Sequence, residues 1–201
     1  DLNAIRKYSE KGGDLDIQGL RGATPISWAI VHGKEGVVDL LLELGVDFNY
    51  DNEFGRTPLA AAALNNKKKL VKTLLAMGAN PNIEYNVGVR KPLFAELLIN
   101  DNEAMAGYLL NHGADINYQI SRSNETAIMI FYSIGDWDKI YWLLEADADP
   151  YIEDAFGYDL NKAISRILAG KRKVSFFQKK WFKRVQNIMD IMNQEAVQNN
   201  N

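Results

Sequence analysis

The chain has 201 residues, 47% of them hydrophobic and 24% charged, with a formal net charge of −3. That composition holds enough apolar material for one sizeable domain or a short array of repeats and excludes a disordered chain, while so small a charge gives no reason to expect a nucleic-acid partner. The absence of cysteine excludes a disulfide, a thiolate zinc site and a catalytic thiol, and no apolar run approaches the roughly 18 residues that a bilayer span requires.

In chain order, a loop opens at Gly12 (GGDLDI) and a first helix is expected from Thr24-Pro25. Proline at the first helical position loses no hydrogen bond, because that N–H has no partner inside the helix, and the preceding threonine can cap the orphan donors. A second helix is expected to end at Gly45, after LLLEL. The chain there needs a left-handed residue, which glycine supplies without a side-chain penalty. The same series returns from Thr57-Pro58 to Gly78, from Lys91-Pro92 to Gly113 and from Thr126-Ala127 to Asp147, with Asp159-Leu160 as a worn last copy. The loops GVDFNY, GANPNI, GADINY and DADPYI keep the step at 33 to 35 residues, and a fixed period of that size predicts a solenoid. Aspartate tolerates the left-handed conformation better than most residues, so the turn at Asp147 should survive with some loss of stability. Ala29, Ala61, Ala62 and Ala95 should let the first helices approach closely, and the pairs Leu41-Leu42, Leu74-Leu75, Leu109-Leu110 and Leu143-Leu144 should fill the seams. One such helix pair buries too little apolar surface to offset a backbone ordering cost of roughly 1–2 kcal/mol per residue, so each unit depends on its neighbours.

The last predicted element is basic and amphipathic. Lys171 to Asp190 holds seven basic residues and one acid, which leaves the rest of the chain with 16 basic and 25 acidic residues, or −9. Phe177, Trp181, Val185, Ile188 and Met192 fall on one stripe at helical spacing. A solenoid closes its end with such a helix, so a cap is expected; the same pattern could lie on an anionic membrane. The polar tail after Met192 is expected to fray.

Few residues point to chemistry. The two histidines, His32 and His112, belong to no metal-binding pattern, and no nucleophile elbow, phosphate-binding loop or calcium loop is present. Catalytic residues, metal ligands and cofactors are therefore all expected to be none. Lys67, Lys68 and Lys69 near a helix start read as a solvated face ahead of an anion site, and Asn124-Glu125-Thr126 reads as a loop followed by a helix start. The positive signal lies in the loops. Aligned on the preceding glycine, Gln18, Asp51, Glu84, Gln119 and Glu153 form a polar or acidic column at the tips, flanked by Tyr50, Phe54, Tyr85, Tyr118, Ile120, Phe156 and Tyr158. The column Ile17, Tyr50, Ile83, Tyr118 and Ile152 could equally pack loop on loop, whereas aromatics among polar rims such as Phe54, Tyr85 and Tyr158 typify protein interfaces.

With RTPLAAAA at Arg56 to Ala63, LVKTLLAMGANPN and the 33-residue step, the chain resembles the ankyrin-repeat family, whose T-P-L-H-x-A signature these residues nearly reproduce. The resemblance implies an all-α solenoid of stacked helix-turn-helix units with hairpin loops and terminal capping helices. It would form a single domain over residues 1–192, with an N-terminal half-repeat at 1–21, four repeats over 22–156, a capping repeat at 157–192 and a flexible tail at 193–201. Ser27, Ala60 and Phe94 stand where the family usually has histidine, and Lys91 where it usually has threonine, which puts local capping in question. The family's recognition face, made of loop tips and adjoining first-helix residues, carries over onto Gln18, His32, Asp51, Glu53, Phe54, Arg56, Asn65, Glu84, Tyr85, Gln119, Ile120, Glu153, Phe156 and Tyr158. Divergent repeats, no cysteine and loops rich in Asn, Asp and Tyr are similar to the bacterial ankyrin-type immunity proteins that neutralise phospholipase effectors of type VI secretion systems. That likeness implies one protein partner, a cognate phospholipase, with no nucleic acid and no homo-oligomer. It also implies a periplasmic location, with a lipid anchor on an N-terminal segment removed ahead of Asp1. The alternatives are a cytoplasmic scaffold or effector, and a membrane-surface adaptor working through the basic helix.

Overall fold

The structure, a computed structural model, describes residues 1–50, 55–87, 89–170, 172–176 and 178–199. Eleven α-helices and one two-stranded hairpin lie among them, and the chain divides into two compact units, Asp1–Asp115 and Ile116–Asn201.

In the first unit, α1 (Leu2–Glu10) precedes the helix pairs α2 (Pro25–Val31) with α3 (Glu35–Glu43) and α4 (Pro58–Leu64) with α5 (Lys68–Ala76). An antiparallel hairpin of β1 (Glu84–Val87) and β2 (Val89–Pro92) then leads into α6 (Leu93–Ile99) and α7 (Glu103–Leu110). The Thr-Pro starts act as the chemistry requires: Thr24 Oγ1 accepts the N–H of Ser27 at 3.4 Å and Thr57 Oγ1 that of Ala60 at 3.2 Å. Ser27 also donates to the Arg56 carbonyl at 3.2 Å, tying one repeat to the next. The third pair differs. α6 starts without a side-chain cap, and the buried Lys91 instead pairs with Glu96 at 2.9 Å. Phe94, at another position where histidine is usual, is a core residue.

The second helices end as expected, with φ of +77°, +92° and +97° at Gly45, Gly78 and Gly113. A second set of left-handed residues, Gly33, Asn66 and Asp101, ends the first helices. The loops are joined by side-chain oxygens. Asp16 Oδ1 accepts the N–H of Asp47 at 3.0 Å, Asn49 Oδ1 that of Asn80 at 2.8 Å, and Asn82 Oδ1 that of Asp115 at 2.7 Å. Asp47 and Asn80 each also accept an N–H two residues on, so one short polar residue shapes its own loop and the next binds the following repeat. The core comprises residues such as Ile26, Leu41, Leu59, Leu74, Leu93, Leu97 and Leu109, all buried.

The second unit holds α8 (Ala127–Ile134), α9 (Trp137–Glu145), α10 (Leu160–Leu168) and α11 (Lys179–Asn199). Asp147 takes φ +64° at the turn where the other copies have glycine, and Asn117 Oδ1 accepts the N–H of Asp149 at 2.8 Å. α11 packs on α9 as a terminal cap, and Val185 of the expected stripe is buried, but Met189 is the buried residue of the next turn where Ile188 was expected. Val185 and Met189 are buried, and Phe182 meets Trp137 edge-on at 4.7 Å. Phe182 and Trp181 are both half-buried, with Trp181 tilted against Tyr141 at 5.5 Å, and Phe177 lies outside the described residues. Phe182→Ala, which removes the edge-on contact with Trp137, should destabilise the chain by about 2–4 kcal/mol; an unchanged midpoint in urea denaturation would contradict this packing. The helix also continues past Met192 to Asn199, where fraying was expected. Asn193 holds it there, accepting from the Tyr151 hydroxyl at 2.8 Å and donating to Asn161 Oδ1 at 3.4 Å. No helix among the described residues is long and apolar enough to cross a membrane.

At the start of α9, burial and a hydrogen bond shared with Asp138 push the Asp136 carboxyl up to about 6. That shared hydrogen bond holds the Asp138 carboxyl below its ordinary value. The folded chain thus keeps a proton on Asp136 that the unfolded chain releases near pH 4, so stability falls as pH rises from about 4 through 6. Asp136→Asn should raise the melting temperature at pH 7.5, and the gain should vanish below pH 4. A gain independent of pH would contradict the assignment.

Candidate protein-binding groove

In the first unit, counting back from Gly33, Asn66 and Asp101 superimposes the three first helices. Three columns result: Trp28, Ala61 and Glu96; Val31, Leu64 and Ile99; His32, Asn65 and Asn100. The third column caps helix ends. His32 Nδ1, Asn65 Nδ2 and Asn100 Nδ2 each donate at 2.8 Å to the carbonyl four residues back, and the His32 ring stacks on Trp28 with centroids 3.9 Å apart. The middle column is aliphatic and open to solvent, with Val31 54% and Ile99 40% exposed, and Trp28 beside it is 52% exposed. A lone exposed apolar residue needs no explanation, but a contiguous set rimmed by polar groups marks an interaction surface.

Of these side chains, Trp28, Val31, His32, Ala61, Leu64 and Asn65 line a groove of about 360 Å³ between α2 and α4, bounded by Arg56 and Tyr85 on the loop side. Tyr85 stands opposite Lys91 in the hairpin. Burial pushes its phenol up, with Glu96 adding and Arg56 opposing, so the hydroxyl is a neutral donor at physiological pH. The groove thus joins an indole and aliphatic floor to a guanidinium and a phenol, the side-chain types on which interface energy concentrates.

The family model for ankyrin repeats, in three copies, matches residues 1–85, the stretch that builds this groove. Residues 1–85 are ankyrin repeats. No curated protein matches the chain in sequence. Among solved structures, 473 chains are similar, which is why the ankyrin fold alone names no partner. One is a chain of the complex of the Bd0816 predatory endopeptidase from Bdellovibrio bacteriovorus with immunity protein Bd3460. It is similar at a TM-score of 0.62 and 22% identity, over 91% of this chain and 90% of that one. At that identity the likeness concerns the fold.

Of the residues the ankyrin resemblance pointed to, His32, Arg56, Asn65 and Tyr85 meet in the groove. Asp51, Glu53 and Phe54 lie outside the described residues. Glu84 pairs with Arg90 at 3.1 Å and Glu153 pairs with Lys162, so both of these tip acids have partners within the chain. Gln119 bridges two loops of the second unit, donating to Asn124 O at 2.9 Å and Glu153 O at 3.0 Å. Ile120 is buried at 3% exposure. It packs beneath its loop and offers no surface to a partner, and Ile83 is likewise buried. Gln18 is exposed, Phe156 is 81% exposed, and Tyr158 lies in the second unit with Arg166 5.2 Å over its ring. The sequence reasoning missed Trp28, Val31, Leu64 and Ile99. Their signal was present, since counting from the ends of the first helices puts apolar residues where the Ala-rich packing face cannot reach them.

Proposed function

We propose that this chain is a non-catalytic immunity protein that binds one cognate secreted phospholipase effector, of the type VI class, and neutralises it. The observation that carries the reading is the open groove of Trp28, Val31, Leu64 and Tyr85, backed by Arg56. It is a surface built to seat apolar side chains of another protein, and the one hydroxyl of a serine among its lining residues, Ser27, is spent on the Arg56 carbonyl. The fold likeness to a chain of an endopeptidase–immunity complex supports the same reading. Neutralising a toxin requires an interface of at least standard size, roughly 1,600 Å² in total, so the partner covers several repeats at once. The chain acts in the periplasm, lipid-anchored, where such an effector attacks; a cytoplasmic scaffold is the alternative.

A second reading, that the effector is a peptidase, is favoured by what that solved complex contains. Co-expression separates the two. The chain should abolish the toxicity of the lipase encoded beside it and co-purify with it; protection against a neighbouring peptidase only would favour the second reading. Unchanged toxicity with no complex from either would overturn the immunity reading and leave an ankyrin binding module.

A further inference from the structure

The second unit contains a recess of about 390 Å³ that the groove does not involve, walled by α8, α10 and the loops before them. Two guanidiniums open onto it, each laid over a tyrosine: Arg166 5.2 Å from the Tyr158 ring centroid and Arg172 4.3 Å from that of Tyr132. Arg172 is further fixed by donating Nη2–H to the Ser133 carbonyl at 3.0 Å. Two carboxylates also reach the recess, but both are engaged in their own loops. Asp154 Oδ1 accepts the N–H groups of Phe156 and Tyr158 at 2.8 and 2.9 Å, and Glu125 Oε2 accepts the Ser123 hydroxyl at 2.8 Å. Among the described residues neither arginine has a carboxylate within salt-bridge distance. Neither phenol has a hydrogen-bond partner among them.

The recess therefore holds two guanidinium forks that no carboxylate among the described residues engages, although Glu125 and Asp154 balance their formal charge. A guanidinium carries five N–H groups in a planar fork that matches a carboxylate, and stacking on a ring holds that fork in place without using its edge. We propose that this recess is a receptor for a carboxylate presented by a polypeptide, either an acidic side chain or a chain terminus. Arg166 and Arg172 bind the carboxylate oxygens, and Tyr132 and Tyr158 orient them. The site is independent of the groove in the first unit, and the inference does not depend on the partner being an effector.

The test is fluorescence polarisation with three labelled probes: an amidated peptide of alternating Glu and Gly, the same peptide with Gln for Glu, and a Gly peptide with a free C-terminal carboxylate. Saturable binding of the Glu peptide is expected, at least tenfold tighter than the Gln peptide and weakened by salt. Binding of the free-terminus peptide instead would assign the receptor to chain ends. The double variant Arg166→Gln with Arg172→Gln should lose at least tenfold in affinity. Arg172→Lys, which keeps the charge and the fold but not the fork, should lose several-fold, with an unchanged melting temperature. Equal binding of the Gln peptide, undiminished binding by the folded double variant, or saturable binding of inorganic phosphate with none of any peptide would each overturn the proposal. Co-purification of the effector reads out the groove separately, so failure here leaves that reading untouched.

Discussion

A variant carrying Trp28→Ala and Val31→Ser should bind the partner at least about 100-fold more weakly than the parent chain while keeping its fold. Both side chains are about half exposed, so their removal leaves no large internal void, and the stacked His32 keeps its bond to the Trp28 carbonyl, which is backbone. Truncating a central interface aromatic costs on the order of 2–4 kcal/mol, and each 1.4 kcal/mol is tenfold in affinity. The two residues adjoin, so their losses need not add. Calorimetry on the co-purified effector is the measurement, with the melting temperature as control. An affinity within threefold of the parent chain would remove the groove from the interface. Charge reversal at Glu84 gives a useful contrast. Because that carboxylate pairs with Arg90, Glu84→Lys should perturb the hairpin more than it slows association.

Gly55→Ala should cost about 2–5 kcal/mol of stability, far more than a single added methyl suggests. Gly55 has φ +61°, and an added Cβ would lie 2.2 Å from the Glu84 carbonyl oxygen and 3.0 Å from Tyr85 Cα. The left-handed conformation alone costs roughly 1–2 kcal/mol for an L-residue, and overpacking against a backbone adds about 1–3 more. Gly78→Ala is the matched control. It has φ +92° but nothing within 4 Å of the added atom, so only the conformational part should appear. Denaturant titration of both variants separates the contributions, and equal losses would show that the hairpin yields. Since Tyr85 stands on the strand that the new methyl would push, Gly55→Ala should also weaken partner binding, and Gly78→Ala should not.

The fold was legible because its signals are local. Thr57-Pro58 and Gly78 announce their helix ends wherever they occur, and repetition turns local signals into an architecture. Asp147 in place of glycine was readable for the same reason, since its left-handed tolerance is intrinsic to the side chain. What escaped depends on partners distant in sequence. The partners of Glu84 and Glu153 were not readable, because Arg90 and Lys162 become their neighbours only once the loops fold. The stripe of α11 was placed rightly at Val185 but not at Met189, because Trp181 and Phe182 are both large and aromatic and spacing alone cannot say which faces Trp137. The groove escaped for a third reason: weight went to the loop tips, whereas Val31 and Leu64 lie at the far ends of the first helices.

The side-chain oxygens that join successive loops also say where such a chain can change. Three of the links in this protein join residues 31, 31 and 33 positions apart, and the longest keeps its 2.7 Å contact although the hairpin of β1 and β2 lies within its span. Length added at a loop tip is thus absorbed beyond the linked residues, and the next repeat still finds its acceptor. Stacking and recognition are in this way separately editable. A lineage under pressure to follow a changing target can lengthen, shorten or rewrite its tips while the short polar residues at the loop bases hold the stack in register, and drift at Asn49 or Asn82 should be tolerated far less than drift a few residues further on.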